Sequence, residues 1–500
     1  MTIVDMLEQN SRFFPDKTAI IYNDLRVSYR VFYERVNTLA NFLISMGLKK
    51  GDRVGLLLEK TPEAIISFLG VAAAGGIVFP VDYYQSHDII RNLMNITNPS
   101  MVIADERFQD ILSCIKDPCL DEKTIVIGQK TANQRWSWDE VFAQPALNPP
   151  GVELEDDEIV YLNFTSGTTG IPKGAMTTHT NIYWNTLSAV DSLGLTAEDI
   201  HLCMFPVFGH PHELFARALY LGGTVVLINN IHPKALATAI TEHRVTCMMA
   251  VASIYDTLVR LPFPSLFDLS SLRIPESGGM YTPPALVQRF KERFSVPIIP
   301  VWGSTETTGI ALVTPVEGEQ SPGSMGKPAP FYQVKVLGED KEELPPDEVG
   351  EMAVKGPGVF SGYFNQPEET GSDIKNGWFL TGDMVRKDAE GYFYFASRKT
   401  GMMKVAGLKV FPSEIEAVLL NHPKIEAVAV VKCQDRVHGE VPKAVVVVKE
   451  GLEMNKDDIR KYCEEKLSRF KIPRLVEFRK ELPRTPGGKI LYTALLSEGM

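Results

Sequence analysis

Thr165-Ser166-Gly167-Thr168-Thr169-Gly170-Ile171-Pro172-Lys173-Gly174 follows directly on an apolar run, Ile159-Val160-Tyr161-Leu162-Asn163-Phe164, that predicts a buried strand. Gly167, Gly170 and Gly174 permit positive φ, so the backbone after that strand can fold back and turn several N–H groups toward one point. Thr165, Ser166, Thr168 and Thr169 add hydroxyl donors, and Lys173 adds a cation on a flexible stem. Such a set suits a ligand whose negative charge is spread over many oxygens, an oligophosphate. The pattern differs from G-x-x-x-x-G-K-[ST], because Pro172 precedes the lysine and Gly174 follows it. A polar surface loop is the plain alternative. All of this run except Ile171 and Pro172 is small, hydroxylic or cationic, which favours the ligand.

The surrounding chain has 500 residues, more than one compact core holds, so at least two domains are expected. Apolar content of 44% and charged content of 23% are those of a globular protein, and a net charge of −11 argues against general nucleic-acid binding. The six cysteines are scattered, with no C-x-x-C pair, which predicts a reduced, cytoplasmic chain without structural zinc. Met1 to Glu8 lacks a basic start and an apolar core, so no signal peptide is expected, and the C-terminal Ser-Glu-Gly-Met500 carries no peroxisomal or lipidation signal. Ala64 to Val81 is uncharged, but Gly75, Gly76 and Pro80 divide it, and Thr61-Pro62 reads as a helix start. A buried helix and a buried strand are expected there, not a membrane span.

Ser28 to Met46 has apolar residues at helical spacing, Phe32, Val36, Leu39, Leu43 and Met46, with Gly47 to stop it. Arg53–Leu58, the Pro62 helix and Gly76–Pro80 form a βαβ unit, which implies a parallel sheet with helices on its faces. Strands are expected again at 101–104 and 124–127, with a long connection over 128–157. After the glycine-threonine loop come a helix at 181–193, a strand at 201–205, and further βα units over 223–302. Short alternating strands and Gly/Pro turns fill 333–396. The final hundred residues read as a small α+β unit, with helices at 413–420 and 455–467 and strands at 425–431 and 444–449.

Five more stretches carry chemistry. In Pro300-Val301-Trp302-Gly303-Ser304-Thr305-Glu306, at the end of a strand, Trp302 offers a flat face to an adenine, Thr305 a hydroxyl to phosphate and Glu306 a hard oxygen to Mg²⁺. A capped turn with a core tryptophan is the alternative. Ser277-Gly278-Gly279-Met280 lets a flat ligand approach the backbone. Asp383 closes Trp378-Phe-Leu-Thr-Gly-Asp in a tight turn, where a carboxylate accepts both hydroxyls of a ribose or bonds its own backbone. Two lysine-bearing segments follow, Ser397 to Glu416 and Pro483 to Ile490.

In this order the motifs resemble those of the adenylate-forming superfamily, which contains acyl-CoA synthetases, adenylation domains and beetle luciferases. The resemblance covers about Phe14 to Leu495 and implies an α/β fold. It implies a large N-terminal body of α/β subdomains over 1–397 with a β-rich part at 333–397, a hinge at 398–400 and a small mobile α+β lid over 401–500. It places the nucleotide on Thr165 to Gly170, Lys173, Gly278, Gly279, Met280, Trp302, Gly303, Ser304 and Thr305. Asp383 and Arg398 would hold the ribose, and Glu306 would hold Mg²⁺. Lys489 would be the adenylation lysine, acting with Lys173, Thr305 and Glu306. The lid would turn about Lys399 and Thr400, and Ala406, Gly407 and Leu408 would pass the pantetheine of CoA. Thr400-Gly401 removes a charge usual at the hinge, and Tyr492 replaces an arginine usual after the lysine.

The implied reaction is ATP-dependent activation of a carboxylic acid to acyl-AMP with release of pyrophosphate, then transfer to CoA. A carrier-protein thiol is the alternative acceptor, and a nucleotide-binding relic is the non-enzymatic alternative. Acyl-pocket walls are expected from Phe208, His210, Met249, Ser253, Ser277, Val301, Gly303, Ile310 and Ala311. They are mostly apolar, which favours a medium- or long-chain or aromatic acid. Acetyl-CoA synthetases hold a second tryptophan at the position of Gly303, so glycine is expected to leave that space open. Amino-acid-activating domains place an aspartate near the Phe205-Pro206 segment to hold an ammonium, and here only Glu213 could substitute. His210 and His212 are either pocket groups or satisfied loop residues.

Overall fold

The computed structural model describes residues 1–115, 120, 122–130, 136–165, 172–262, 266–318, 320–405, 408–435, 439–484 and 490–496. Two compact units divide the chain. The first comprises Met1–Pro322, Pro328–Gln333 and Lys355–Phe379; the second comprises Gly323–Lys327, Val334–Val354 and Leu380–Met500. The boundary expected at 398–400 therefore lies inside the second unit.

In the first unit, one sheet runs in the order Trp136–Ser137, Thr124–Ile127, Met101–Asp105, Arg53–Leu57, Ile77–Pro80, Ile159–Thr165, Lys173–Thr178. Its strands are parallel except the last pair, in which Thr165 lies opposite Lys173. Ile77–Pro80 and Met101–Asp105, near its centre, are short apolar runs buried on both faces, as parallel sheets covered by helices require. Pro62–Ala73 is one of the covering helices, with proline in its first turn and eleven of its residues buried. That accounts for the uncharged stretch from Ala64, and among the described residues no helix is long and apolar enough to cross a membrane.

The second sheet of this unit runs Gly309–Val313, Ile299–Ser304, Ile274–Ser277, Cys247–Ala250, Ile200–Cys203, Thr224–Leu227, Thr18–Tyr22, Leu25–Ser28. Register sets its faces. His201 pairs with Cys247 and Met249 with Glu276. Side chains alternate along a strand, so His201, Cys203, Cys247, Met249 and Glu276 share one face, and Leu202, Met248, Ala250 and Ser277 the other. Leu202, Met248 and Ala250 are packed under Leu236, Ile240, Tyr255, Leu258 and Phe290 from three helices. The first face is polar.

One expected connection and one segment expected to be all-β hold helices. Within 128–157, Trp136–Ser137 is a strand and Trp138–Phe142 a short helix, closed by a reciprocal cap in which the Ser137 N–H donates to the Glu140 carboxylate at 2.7 Å. Within 333–396, Pro367–Asp373 is helical, with Pro367 in its first turn.

The second unit ends in a small α+β layer. Ile425–Asp435 and Gly439–Val448 form its antiparallel centre, Leu475–Arg479 adds a parallel strand, and helices Pro412–Leu420, Lys456–Glu464 and Tyr492–Leu496 cover it. Glu416 turns its carboxylate inward, where it accepts from the Val430 N–H at 2.7 Å and the Tyr492 hydroxyl at 3.0 Å. Desolvation raises its pKa to about 7. The folded state thus holds a proton that the unfolded chain releases near the ordinary carboxylate pKa, and stability falls as pH rises from about 5 to about 8. The expected loss is on the order of 2–3 kcal/mol. Hydrogen exchange of the 425–435 amides, corrected for intrinsic rate, should show it, and E416Q should flatten the pH dependence.

Candidate active site

Lys173 opens the strand that follows the glycine-threonine loop, and its flank lies along residues 361–364 through Ser361 N–H to Met176 O at 3.0 Å and Phe364 N–H to Gly174 O at 2.8 Å. That pairing brings Tyr363 beneath the lysine. Lys173 Nζ stands 4.7 Å from the Tyr363 ring centre and 3.3 Å from Asp373 Oδ2. The Tyr363 hydroxyl lies 3.1 Å from Glu306 Oε1 and 3.2 Å from Asp373 Oδ2. Lys173 and Glu306, read from separate motifs, therefore meet across one phenol. Burial, and then the two carboxylates, raise the Tyr363 pKa, so the phenol keeps its one proton and donates it to one acid or the other.

Glu306 is fixed by a short turn, Thr305–Thr307, at the end of the Ile299–Ser304 strand. Ser304 caps it: its N–H donates to Thr307 Oγ1 at 2.9 Å and its Oγ accepts from the Thr307 N–H at 3.3 Å. The Glu306 carbonyl accepts from the Phe360 N–H at 2.8 Å. Thr305 and Trp302 are half-buried beside it. Gly278 lies tight against this strand, since a Cβ there would come within 3.0 Å of Val301 Cγ2. Gly279 is exposed with φ +79°, and Met280 packs against the helical core.

Gly303 departs from its expectation. A Cβ there would overlap the Gly309 carbonyl and come within 2.9 Å of Ile310 N, because the antiparallel hairpin carries a register shift between Trp302 and Gly303. Glycine is required by the crossing of two backbones, and its missing side chain opens no space.

The expected acyl walls separate into groups. Phe208 packs on Tyr83 and Tyr84 with ring centres at 5.2 and 6.0 Å. Met249 lines a cavity with His201, Phe205, Glu213, Arg217 and Glu276. Ser277 lies on the opposite face of the sheet and its hydroxyl is 2.7 Å from Thr282 Oγ1, so the pleat separates it from Met249. Val301, Ile310 and Ala311 are buried, and Ser253 and His210 half-buried.

His212 is a core group bonded through one ring nitrogen, while its Nε2 is buried without a hydrogen bond among the described residues. It is 1% exposed, its Nδ1 lies 2.8 Å from the Tyr161 hydroxyl, and desolvation lowers its pKa to about 3, so the ring is neutral. Glu213 is not a carboxylate without a counter-charge, as an amino-acid-activating domain would need for an ammonium. Its carboxylate pairs with Arg217 Nε at 3.1 Å, and Arg217 in turn holds Glu276 through Nη1 at 2.7 and 2.9 Å.

In the second unit Asp383 and Arg398 are cross-strand partners. Asp383 is 3% exposed and its Oδ1 lies 3.0 Å from Arg398 Nε; its N–H donates to Thr381 Oγ1 at 3.0 Å. Lys399 pairs with Glu351 at 2.9 Å, Thr400 is exposed in a turn, and Leu408 is exposed at the start of a short strand. Ser166, Gly167, Thr168, Thr169, Gly170, Ala406, Gly407 and Lys489 lie outside the described residues.

Sequence reading missed Tyr363, Asp373, Arg217 and Glu276. Nothing in their spacing announces the first two. The other pair did leave signals: Glu213 and Arg217 stand at i and i+4, and Glu276 interrupts an apolar strand.

Glu306 supplies one carboxylate oxygen beside a second acid, Asp373, and among the described residues no group of three His, Cys, Asp or Glu side chains could hold an ion unaided. Mg²⁺ in phosphate-handling sites takes one or two carboxylates and completes its octahedron with phosphate oxygens and water, so this donor set fits an ion that arrives with a nucleotide.

Residues 7–364 match the model of the AMP-binding enzyme family, and residues 414–489 that of the AMP-binding enzyme C-terminal domain. A long-chain-fatty-acid–CoA ligase of Bacillus subtilis is 32% identical, over 99% of this chain and 94% of its own. An indoleacetate–CoA ligase of Aromatoleum aromaticum is 31% identical, over 98% of this chain and 96% of its own. Among solved structures, an anthranilate CoA ligase in complex with anthranoyl-AMP superimposes with a TM-score of 0.92 at 28% identity, covering 100% of this chain and 97% of that one.

Proposed function

The chain belongs to the AMP-binding enzyme family, and from that premise we propose that it joins a medium- or long-chain or aromatic carboxylic acid to CoA through an acyl-adenylate. A carboxylate is a poor acyl donor because its leaving group would be an oxide. Attack of a carboxylate oxygen on the α-phosphorus of ATP breaks the bond to pyrophosphate and gives the mixed anhydride. The CoA thiolate then attacks the acyl carbon, and AMP leaves. Both steps need placement and charge neutralisation more than acid–base chemistry.

The observation that carries this reading is the meeting of Lys173, Glu306 and Asp373 about Tyr363, whose ring faces the lysine and whose hydroxyl faces both acids. Lys173 answers the charge of the outer phosphates. Tyr363 holds the Glu306 carboxylate in place, and Mg²⁺ carried there with ATP would lower the charge on its phosphate oxygens. Trp302, with Gly278 and Gly279, takes the adenine; Asp383 and Arg398 take the ribose hydroxyls. Lys489 bridges the acid and the α-phosphate as charge builds between them, and the lid turns about Lys399 and Thr400 to bring Gly407 to the thioester step. The relatives that act on a long-chain fatty acid and on indoleacetate support the acid class.

The test is acid-dependent exchange of labelled pyrophosphate into ATP across aliphatic and aromatic acids, followed by addition of CoA. Exchange with a medium-, long-chain or aromatic acid and release of AMP on adding CoA are expected. ADP as product, or adenylate formation that CoA never discharges, would defeat it.

A further inference from the structure

Just below the C-terminal edge of the second sheet, His201, Phe205, Glu213, Arg217, Met249 and Glu276 surround a cavity of about 20 Å³. That is space for one water-sized group. Met249 and Phe205 bring it to the loop and strand from which the acyl walls were expected. Its walls are not those of a hydrocarbon tunnel. Arg217 is 6% exposed and Glu276 1% exposed, and Arg217 is shared between Glu276 and Glu213. Two carboxylates thus face one guanidinium, and each keeps lone pairs that Arg217 does not reach.

The two histidines nearby add no positive charge, because desolvation lowers both to about 3. His201 Nδ1 lies 3.1 Å from Cys247 Sγ, and its Nε2 is buried without a hydrogen bond. An alkyl end pressed into this cavity would leave carboxylate lone pairs and an imidazole nitrogen without partners, whereas a group bearing N–H or O–H would satisfy them. An anionic end would meet an excess of negative charge.

We propose that this cavity is the far end of the acyl pocket and that it selects acids carrying a hydrogen-bond donor, a hydroxyl or an amino group, at the end remote from the reacting carboxylate. The proposal rests on the acid–CoA ligase reading above and refines its acid. Glu276 and Glu213 are the accepting groups, Arg217 holds both in place, and Met249 sets the depth.

The experiment compares kcat/KM for pyrophosphate exchange over matched pairs of acids, alkyl and aryl, each with and without a terminal hydroxyl or amino group. The donor-bearing member is expected to lead by about tenfold or more in the best pair, because a site built to bond a polar group rejects the analogue without it. E276Q puts an amide donor where a carboxylate oxygen stood and should reduce that ratio by about tenfold. If E276Q does not fold by circular dichroism, E213Q is read the same way. Equal rates within every pair, as for a cavity that only houses a water, overturn the proposal. So does a ratio that the variant leaves unchanged. Exchange with no acid at all would overturn the ligase reading itself, and this with it.

Discussion

Arg217→Met should lower the stability of the first unit by about 3–5 kcal/mol, the largest single-residue effect expected of a core position here. Arg217 is 6% exposed and its guanidinium is committed to Glu276, which is buried, and to Glu213, which is half-buried. Methionine fills a similar volume, so the loss comes from two acids left facing each other without a cation and not from a void. Burial already raises the Glu276 pKa even with Arg217 in place. Without it Glu276 should take up a proton in the folded state, so the variant should be worst above neutral pH and recover as pH falls toward 5. Hydrogen exchange of the 247–250 and 274–277 strands would report the loss. Adding E213Q and E276Q should restore part of it, since replacing all partners of a buried ionic group costs far less than removing one. A loss under about 1 kcal/mol would mean that water reaches the cluster.

Lys489→Ala should slow acyl-adenylate formation by about 10²–10³-fold, the effect of removing one preorganised charge from a developing phosphoryl transition state. The lysine lies outside the described residues, but the chain to either side is tied: Arg484 bridges to Ile490, Leu491 N–H donates to Pro483 O at 2.8 Å, and the Tyr492 hydroxyl reaches Glu416. These contacts also give Tyr492 a role, that of the hydroxyl partner of Glu416. Because the second step needs a thiolate and not a cation at the α-phosphate, conversion of supplied acyl-AMP and CoA to acyl-CoA should stay within about tenfold of the parent. Pyrophosphate exchange measures the first step and thioester formation from synthetic acyl-AMP the second. Unimpaired exchange in the variant would remove Lys489 from the mechanism.

Local pattern made the scaffold legible. Apolar β-branched runs bounded by glycine and proline located the strands at 53–57, 77–80, 101–105 and 124–127, and Pro62 marked a helix start. What escaped was long-range or reciprocal. The Ser137–Glu140 cap turns a polar connection into a helix start, and its S-x-x-E spacing was there to be read. Tyr363 and Asp373 join Lys173 and Glu306 only because the 173–178 strand lies along 361–364, a pairing that no local window contains. Glu276 could be recognised as out of place in its strand, but its partner Arg217 comes from a helix 59 positions earlier.

The crossing of backbones at Gly303 bears on any effort to retune this enzyme toward shorter acids. Plugging a binding site with a bulky residue is the obvious route, and family logic would aim it at this position. Here the bulk would strike the main chain of the returning strand at Gly309, so the hairpin that carries Glu306 would yield before a substrate was turned away. On the proposal above, chain-length engineering belongs at Met249, which borders the small polar cavity, while position 303 is reserved by the geometry of the protein's own hairpin.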